Sequence, residues 1–252
     1  MMKITFLGSG TSHGVPVIGC NCPVCTSTNP KNNRTRASIW VRNENTSVLV
    51  DTSTDFRTQA IREGLSTLDA IFFTHAHADH LHGLDDIRPI SKNITIPVYG
   101  NQRTLEELKF RFDYVFKETQ RGGGKPKIEL HELTGSTVII GSIKVTPIPI
   151  KHGILDILGF RFGNAAYLTD CSFIPESSLV LLKDLDVLLI GALRIKPHET
   201  HFSISQAIET ANVLKPAMTY LTHLCHNVEH ETLSKELPGN IQPAWDGLSV
   251  EL

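Results

Sequence analysis

The stretch Phe72-Phe73-Thr74-His75-Ala76-His77-Ala78-Asp79-His80-Leu81-His82-Gly83 carries the run H-A-H-A-D-H between His75 and His80. Three imidazoles and one carboxylate within six residues form a dense set of metal-binding groups. Neutral imidazole and carboxylate oxygen suit zinc, iron or manganese. Apolar Ala70-Ile71-Phe72-Phe73 leads into the run and reads as a buried strand. Ligands at the end of a buried strand stand on rigid scaffold at the edge of a core. The plainer reading is a solvated histidine-rich loop, but such a loop has no reason to follow a buried strand.

Further apolar runs follow the same grammar. Lys3–Leu7, Ser38–Val41, Ser47–Val50, Ile96–Tyr99, Ile128–Leu130 and Thr137–Ile140 read as strands. So do Ile143–Ile150, Gly159–Phe162, Ala165–Leu168, Val187–Ile190 and Met218–Leu221. Helical patterning is best at Thr54–Glu63, Gln102–Phe112, Pro175–Lys183 and Ser203–Leu214. In the last of these, Ser203 and Gln206 fit a capping box. Strands with interspersed helices predict a layered α/β protein with mixed sheets. No linker divides the chain, so residues 1–252 are expected to form one domain. Arg121-Gly122-Gly123-Gly124-Lys125-Pro126-Lys127 reads as a disordered surface loop, with a lid or phosphate-contacting loop as the sharper alternative.

Three strand ends repeat one pattern: two bulky apolar residues, a threonine, then a ligand type. They are Phe72-Phe73-Thr74-His75, Tyr167-Leu168-Thr169-Asp170 and Tyr220-Leu221-Thr222-His223. Ile148-Pro149-Ile150-Lys151-His152 is a looser fourth case. Any one of these could be a turn. Together with the histidine run they predict ligands converging on one edge of a β-sandwich.

Composition narrows the function classes. The 252 residues are 40% hydrophobic and 20% charged, with net charge −2, as in ordinary soluble globular proteins. That balance argues against a basic nucleic-acid-binding surface. No run reaches transmembrane length, and the apolar start is too short for a signal-peptide core. A cytoplasmic location without a membrane partner is expected. There are five cysteines, an odd number. Cys20, Cys22 and Cys25 form C-x-C-x-x-C in a Gly/Pro-bounded loop, a pattern that reads as metal-binding in a cytosolic protein. Gly8-Ser9-Gly10 does not continue as a dinucleotide fingerprint, because position 13 is His13. There is no nucleophile elbow, and Cys171 reads as a packing residue.

On these residues the chain resembles the metallo-β-lactamase superfamily. The resemblance implies a four-layer αββα sandwich of the metallo-β-lactamase type, with two mixed β-sheets and a two-metal site at one sheet edge. It implies His75, His77 and His152 on one metal, and Asp79, His80 and His223 on the other. Asp170 would lie between them. Asp51 reads as a carboxylate that fixes a ligand histidine's tautomer.

Gly8 to Pro16, followed by Gly19-Cys20-Asn21-Cys22-Pro23-Val24-Cys25, is similar to one branch, the phosphoribosyl cyclic phosphate phosphodiesterases of the carbon–phosphorus lyase pathway. That likeness implies a separate structural zinc on Cys20, Cys22, Cys25 and His226, with Cys225 competing for the fourth place. It also implies that His201, just before a helix, contacts the substrate phosphate and assists proton transfer. His201 and Asp79 are thus the expected catalytic residues. His198, His131, His230 and His82 read as structural or surface histidines, and His13 stays open.

The expected cofactors are two divalent ions, zinc or manganese, and one structural zinc. Two such ions about 3.5–4 Å apart can generate a hydroxide at neutral pH and clamp the oxygens of an in-line displacement. The expected reaction is hydrolysis of a small phosphodiester, cyclic by resemblance, with a homodimer also implied by resemblance alone. β-Lactam hydrolysis is disfavoured by Asp170, since resemblance implies that lactamases of the superfamily lack it. A glyoxalase II type of thioester hydrolysis and a tRNA 3′-processing endoribonuclease are the alternatives. A scaffold that binds metal only for folding is the non-enzymatic one.

Overall fold

Ala70-Ile71-Phe72-Phe73 has no polar side, and the structure shows both faces of that strand covered. The structure is a computed structural model that describes residues 1–118 and 124–252. In chain order the strands are β1 (Lys3–Gly8), β2 (Ser38–Arg42), β3 (Ser47–Val50), β4 (Ala70–Phe72), β5 (Ile96–Gly100), β6 (Ile128–Glu132) and β7 (Val138–Ile140). They continue with β8 (Ile143–His152), β9 (Leu155–Phe162), β10 (Ala165–Leu168), β11 (Val187–Gly191), β12 (Met218–Thr222), β13 (Ile241–Pro243) and β14 (Ser249–Glu251). One sheet runs β14-β1-β2-β3-β4-β5-β6 and the other β13-β12-β11-β10-β9-β8-β7. Each is antiparallel in one half. The strands β3 to β6 and β10 to β13 form the parallel halves.

The two-residue side-chain period of a strand sorts the core into three layers. Ala70 and Phe72 face the other sheet, where they meet Phe160 and Tyr167. Ile71 and Phe73 face the helical side with Leu49 and Val98. There they pack against α1 (Phe56–Glu63) and α2 (Gln102–Arg111) through Phe56, Ala60, Leu105 and Leu108. In the second sheet, Ala166 and Leu168 turn outward to Ala207 and Ala211 of α3 (Ile204–Leu214). Parallel strands covered on both faces read as unbroken apolar runs, which is why the ligand-bearing strands stood out in the sequence.

The expected capping box is present: Ser203 accepts from the Gln206 N–H, and the Gln206 side chain accepts from the Ser203 N–H. Some boundaries shift. Pro175–Lys183 is a short helix, Glu176–Leu179, and a 3-10 turn, Val180–Leu182. The expected strand at Gly159 starts earlier, at Leu155, because it pairs with β8 along a long hairpin. The edge strands β13 and β14 and the helices Ala78–Leu81, Asp113–Phe116 and His230–Glu236 were not anticipated. The first three residues of the glycine-rich stretch, Arg121 to Gly123, lie outside the described residues. Of the remainder, Lys125 is anchored, its Nζ donating to Lys117 O at 2.6 Å.

His230 opens the last of these helices and packs edge-on against Trp245, with ring centroids 5.6 Å apart. Its Nδ1 is buried without a partner. Burial and the nearby Lys31 and Arg34 push the imidazole down to about 4. The unfolded chain, with a histidine near 6.5, then binds more protons than the folded one between those two values. Stability should therefore fall as pH drops from about 6.5 towards 4. His230→Phe should lose less stability than the parent between pH 7 and pH 5, read from urea midpoints. Equal losses in the two proteins would refute this.

Candidate metal centre

The site is built outward from Asp51, the residue after β3. Parallel pairing sets Val50 beside Phe72, so Asp51 lies next to the end of β4. Its carboxylate accepts the Thr74 N–H at 2.8 Å, the Thr74 hydroxyl at 2.8 Å and His80 Nδ1 at 2.7 Å. Asp51, Thr74 and His80 are all fully buried. Thr74 Oγ1 also lies 2.9 Å from His75 Nδ1. His152 Nδ1 lies 2.6 Å from the Thr200 carbonyl. With these Nδ1 atoms donating, His75, His80 and His152 each present an Nε2 lone pair.

Those lone pairs face one another. His75 and His80 Nε2 and both ring nitrogens of His223 are buried without a hydrogen-bond partner. One ligand atom from each of His75, His77 and His152 falls within a single 4.8 Å cluster. Asp79, His80, Asp170 and His223 form a second cluster of the same size. Asp170 stands between them. Its Oδ2 is 3.9 Å from His75 Nε2, and its Oδ1 is 3.3 Å from His80 Nε2 and 3.2 Å from His223 Nε2. Buried polar atoms are almost always satisfied, so this concentration of orphaned nitrogens fits a pair of cations.

Electrostatics agrees. Burial lowers the His75 and His77 imidazoles, which keeps them neutral and able to ligate. Burial opposes the charged form of His80 too, yet Asp170, Asp79 and Asp51 together raise it well above the ordinary range. Asp170 is likewise held low by His223, His80 and His75 against the effect of its burial. The pocket thus carries excess negative charge, which a proton on His80 offsets and a bound cation would offset better.

Backbone conformation contributes. Asp51, Asp170 and His223 all have left-handed φ, at 64°, 54° and 59°. Aspartate tolerates this region, whereas for histidine it costs on the order of 1 kcal/mol. Gly83 closes the histidine run, and a Cβ there would stand 2.0 Å from Ser53 O. The residue must be glycine for the run to pack onto the loop after β3.

His201 sits at the mouth, its Nδ1 3.9 Å from Asp170 Oδ2. Its ring stacks on His223 at 4.9 Å and lies 4.5 Å from His152. Burial pushes it down to about 3. His131 stacks on Tyr99 and His82 lies beside Phe112, both away from the clusters. Cys171 is buried and packed. Two roles escaped the sequence reading: Thr74 as the relay between Asp51 and His75, and the Thr200 carbonyl as the support of His152. The repeated threonine was the signal for the first, and Thr169 repeats it by donating to Asp170 at 2.7 Å.

A second donor set lies on the neighbouring loops. His226 Nδ1 is 3.3, 3.6 and 3.6 Å from the sulfurs of Cys20, Cys22 and Cys25. Zinc–sulfur and zinc–nitrogen bonds of usual length at a tetrahedral angle separate S and N by about 3.5 Å, so the spacing fits that ion. Cys225 is buried elsewhere and accepts the Asn227 N–H. The structure therefore brings His226, and not Cys225, to the three thiols. The Cys25 backbone N–H pulls the Cys22 thiol down to about 6. Buried Arg34 ties the same region together by donating to Cys225 O at 3.1 Å.

Comparison with known proteins agrees with this architecture. Residues 46–224 match the beta-lactamase superfamily domain. A crystal structure of a diphosphatase from the PhnP family superposes with a TM-score of 0.94 at 43% identity, covering 100% of this chain and 98% of that one. A Porphyromonas gingivalis protein named octanoyltransferase is 38% identical over 99% of this chain, which spans only 51% of that protein's length. A ribonuclease Z of a Mycobacterium species is 24% identical, over 88% of this chain and 84% of its own. The matched domain and the two seven-stranded sheets place this chain in the metallo-β-lactamase superfamily.

Proposed function

We propose that this protein is a dinuclear metal-dependent phosphodiesterase acting on a small, cyclic phosphodiester. The observation that carries the reading is Asp170, whose two oxygens face two separate sets of imidazoles, several with buried, unpartnered nitrogens. His75, His77 and His152 would hold one divalent cation and Asp79, His80 and His223 the other, with Asp170 shared. Such a pair supplies an activated water and Lewis acidity at a phosphoryl oxygen. The 43% identity to a PhnP-family diphosphatase supports phosphoryl chemistry.

The chain's own residues supply the rest. Asp51 and Thr74 hold His80 and His75 in one tautomer and one orientation. His201, neutral at pH 7 because of its burial, can donate one ring N–H to a phosphoryl oxygen. An anionic phosphate beside it favours its protonated form, which allows it to hand a proton to the leaving alkoxide. The octanoyltransferase name belongs to a protein about twice the matched length, and the donor sets here support hydrolysis. On this reading the partner is a small molecule rather than a nucleic acid. The structural zinc on Cys20, Cys22, Cys25 and His226 would lock the N-terminal loop to the strand end that carries His223.

Metal-stripped protein refilled with Mn²⁺ or Zn²⁺ should hydrolyse 2′,3′-cyclic nucleotides and bis-p-nitrophenyl phosphate. It should leave precursor tRNA and a glutathione thioester intact. Cleavage of tRNA alone would make it a ribonuclease of the Mycobacterium relative's kind, and cleavage of the thioester alone would move it to the other alternative. His201→Ala should lower kcat by about 10²–10⁴-fold while metal content is kept; full activity would remove its role. Cys22→Ser should lose one equivalent of zinc by elemental analysis and lower the melting temperature. Unchanged zinc content would overturn the structural site.

A further inference from the structure

The Gly8-Ser9-Gly10 loop after β1 lies close against the segment from Arg34 to Arg36. A Cβ at Gly8 would strike the Arg36 carbonyl, and one at Gly10 would stand 2.7 Å from the Arg34 carbonyl. Ser9, between them, is fully buried. Asp246, on the turn between β13 and β14, holds it. One carboxylate oxygen accepts the Ser9 N–H at 2.9 Å and the Ser9 hydroxyl at 2.8 Å. The other accepts the Thr35 N–H at 2.9 Å, the Thr35 hydroxyl, and Arg62 Nη1 at 3.3 Å. The Asp246 side chain is only 9% exposed, and a carboxylate so placed stays charged only with such a set of donors.

Two lines lead from this carboxylate to the metal centre. In the first, Thr35 Oγ1 accepts Gln59 Nε2 at 2.9 Å, and Gln59 Oε1 accepts the Ser53 hydroxyl at 3.0 Å. Ser53 belongs to the loop that starts at Asp51. In the second, Ser9 O accepts the Leu224 N–H at 2.9 Å, in the peptide that follows His223. The peptide before His223 is held too, its Thr222 O accepting the Ala192 N–H at 2.9 Å. The left-handed turn at His223 is thus clamped on both sides. The clamp matters because no hydrogen bond aims this ring. His75, His80 and His152 are each held at Nδ1, whereas both ring nitrogens of His223 are without a partner. The direction of the His223 ring is therefore set by its backbone.

We propose that Asp246 is a positioning residue of the dinuclear centre: through Ser9 it fixes the His223 turn, and with it the cation set of Asp79, His80 and His223. This rests on the dinuclear reading given above and adds a residue that touches neither cation nor substrate. The Gly-Ser-Gly loop then serves as a strut between the turn at Asp246 and the ligand at His223.

The test is calorimetric titration of Mn²⁺ into the chelator-treated full chain. Mn²⁺ favours nitrogen and oxygen donors over thiolates, so it reports on the dinuclear set and not on the cysteines. Asp246→Asn keeps the shape but turns one acceptor into a donor facing Ser9 or Thr35. It should weaken one of the two Mn²⁺ sites by about tenfold, the scale found for residues that orient metal ligands, and leave the other unchanged. The Mn²⁺ concentration for half-maximal turnover of bis-p-nitrophenyl phosphate should rise in step. Ser9→Ala, which removes only the hydroxyl bond, should shift the same site less and in the same direction, and it carries the test if Asp246→Asn does not fold. Thr5→Val breaks another link between the same two ends of the chain, Thr5 to Ser249 at 2.9 Å, and should lower the melting temperature without moving either Mn²⁺ site. A parent chain that binds fewer than two Mn²⁺ would defeat the dinuclear reading, and the positioning role with it. Two sites in the parent that keep their affinity in Ser9→Ala and Asp246→Asn, or that weaken equally in Thr5→Val, would overturn the role of Asp246 alone.

Discussion

A single buried carboxylate organises the centre of this protein. Asp51 is removed from water, and it keeps that position because three donors meet it within 2.8 Å. Unpaired, a carboxyl so placed would be costly. Paired, it fixes the end of β4, the tautomer of His80 and, through Thr74, the tautomer of His75. The other donor groups of the cluster gather around those two rings, His152 held from outside by the Thr200 carbonyl. Burial raises the Asp51 carboxyl while His80 and Thr74 draw it down, so its charge and that of His80 stand or fall together.

The sheets explain why such a network can exist. Both are covered on both faces by apolar clusters, so their middles are mostly apolar and hold few polar groups. Polar side chains collect where strands end. The parallel halves send the ends of β3, β4, β10 and β12 to the same edge, which is where ligands bind in sheets of this kind. His152 arrives there from the antiparallel hairpin of β8 and β9. The second metal-ready cluster, on Cys20, Cys22, Cys25 and His226, is outside the sheets and braces the loops that frame the mouth.

Most of the sheet architecture was legible in the sequence, because fully buried strands are apolar runs with sharp ends. The edge strands β13 and β14 were not: they are three residues each, with Pro243, Ser249 and Glu251 among them. Neither carries an apolar run long enough to read as a strand. The turn of helix over Ala78–Leu81 was hidden for another reason, since its residues are chosen for ligation. All seven side chains proposed to hold the two cations follow or end strands or belong to the H-A-H-A-D-H run. His152 was legible as the looser fourth case of the strand-end repeat. The preference for His226 over Cys225 came from family likeness, because spacing does not encode which way two adjacent side chains point. Thr74 was visible as part of a repeat, but its role required knowing that Asp51 lay beside it.

The N-terminal segment is held by residues that follow it by most of the chain's length. Cys20 meets His226 across 206 positions, Thr5 meets Ser249 across 244, and Ser9 O accepts the Leu224 N–H. Contacts this distant are slow to form, because the intervening chain must be ordered first. During synthesis the first strand and its cysteine loop emerge well before their partners, Cys20 standing 206 positions ahead of His226. The cysteine loop therefore waits, uncapped, until His226 arrives. The same late segment carries His223, so the metal centre is completed in the step that fastens the N-terminus. A truncated or stalled chain would hold the histidine run without a finished site.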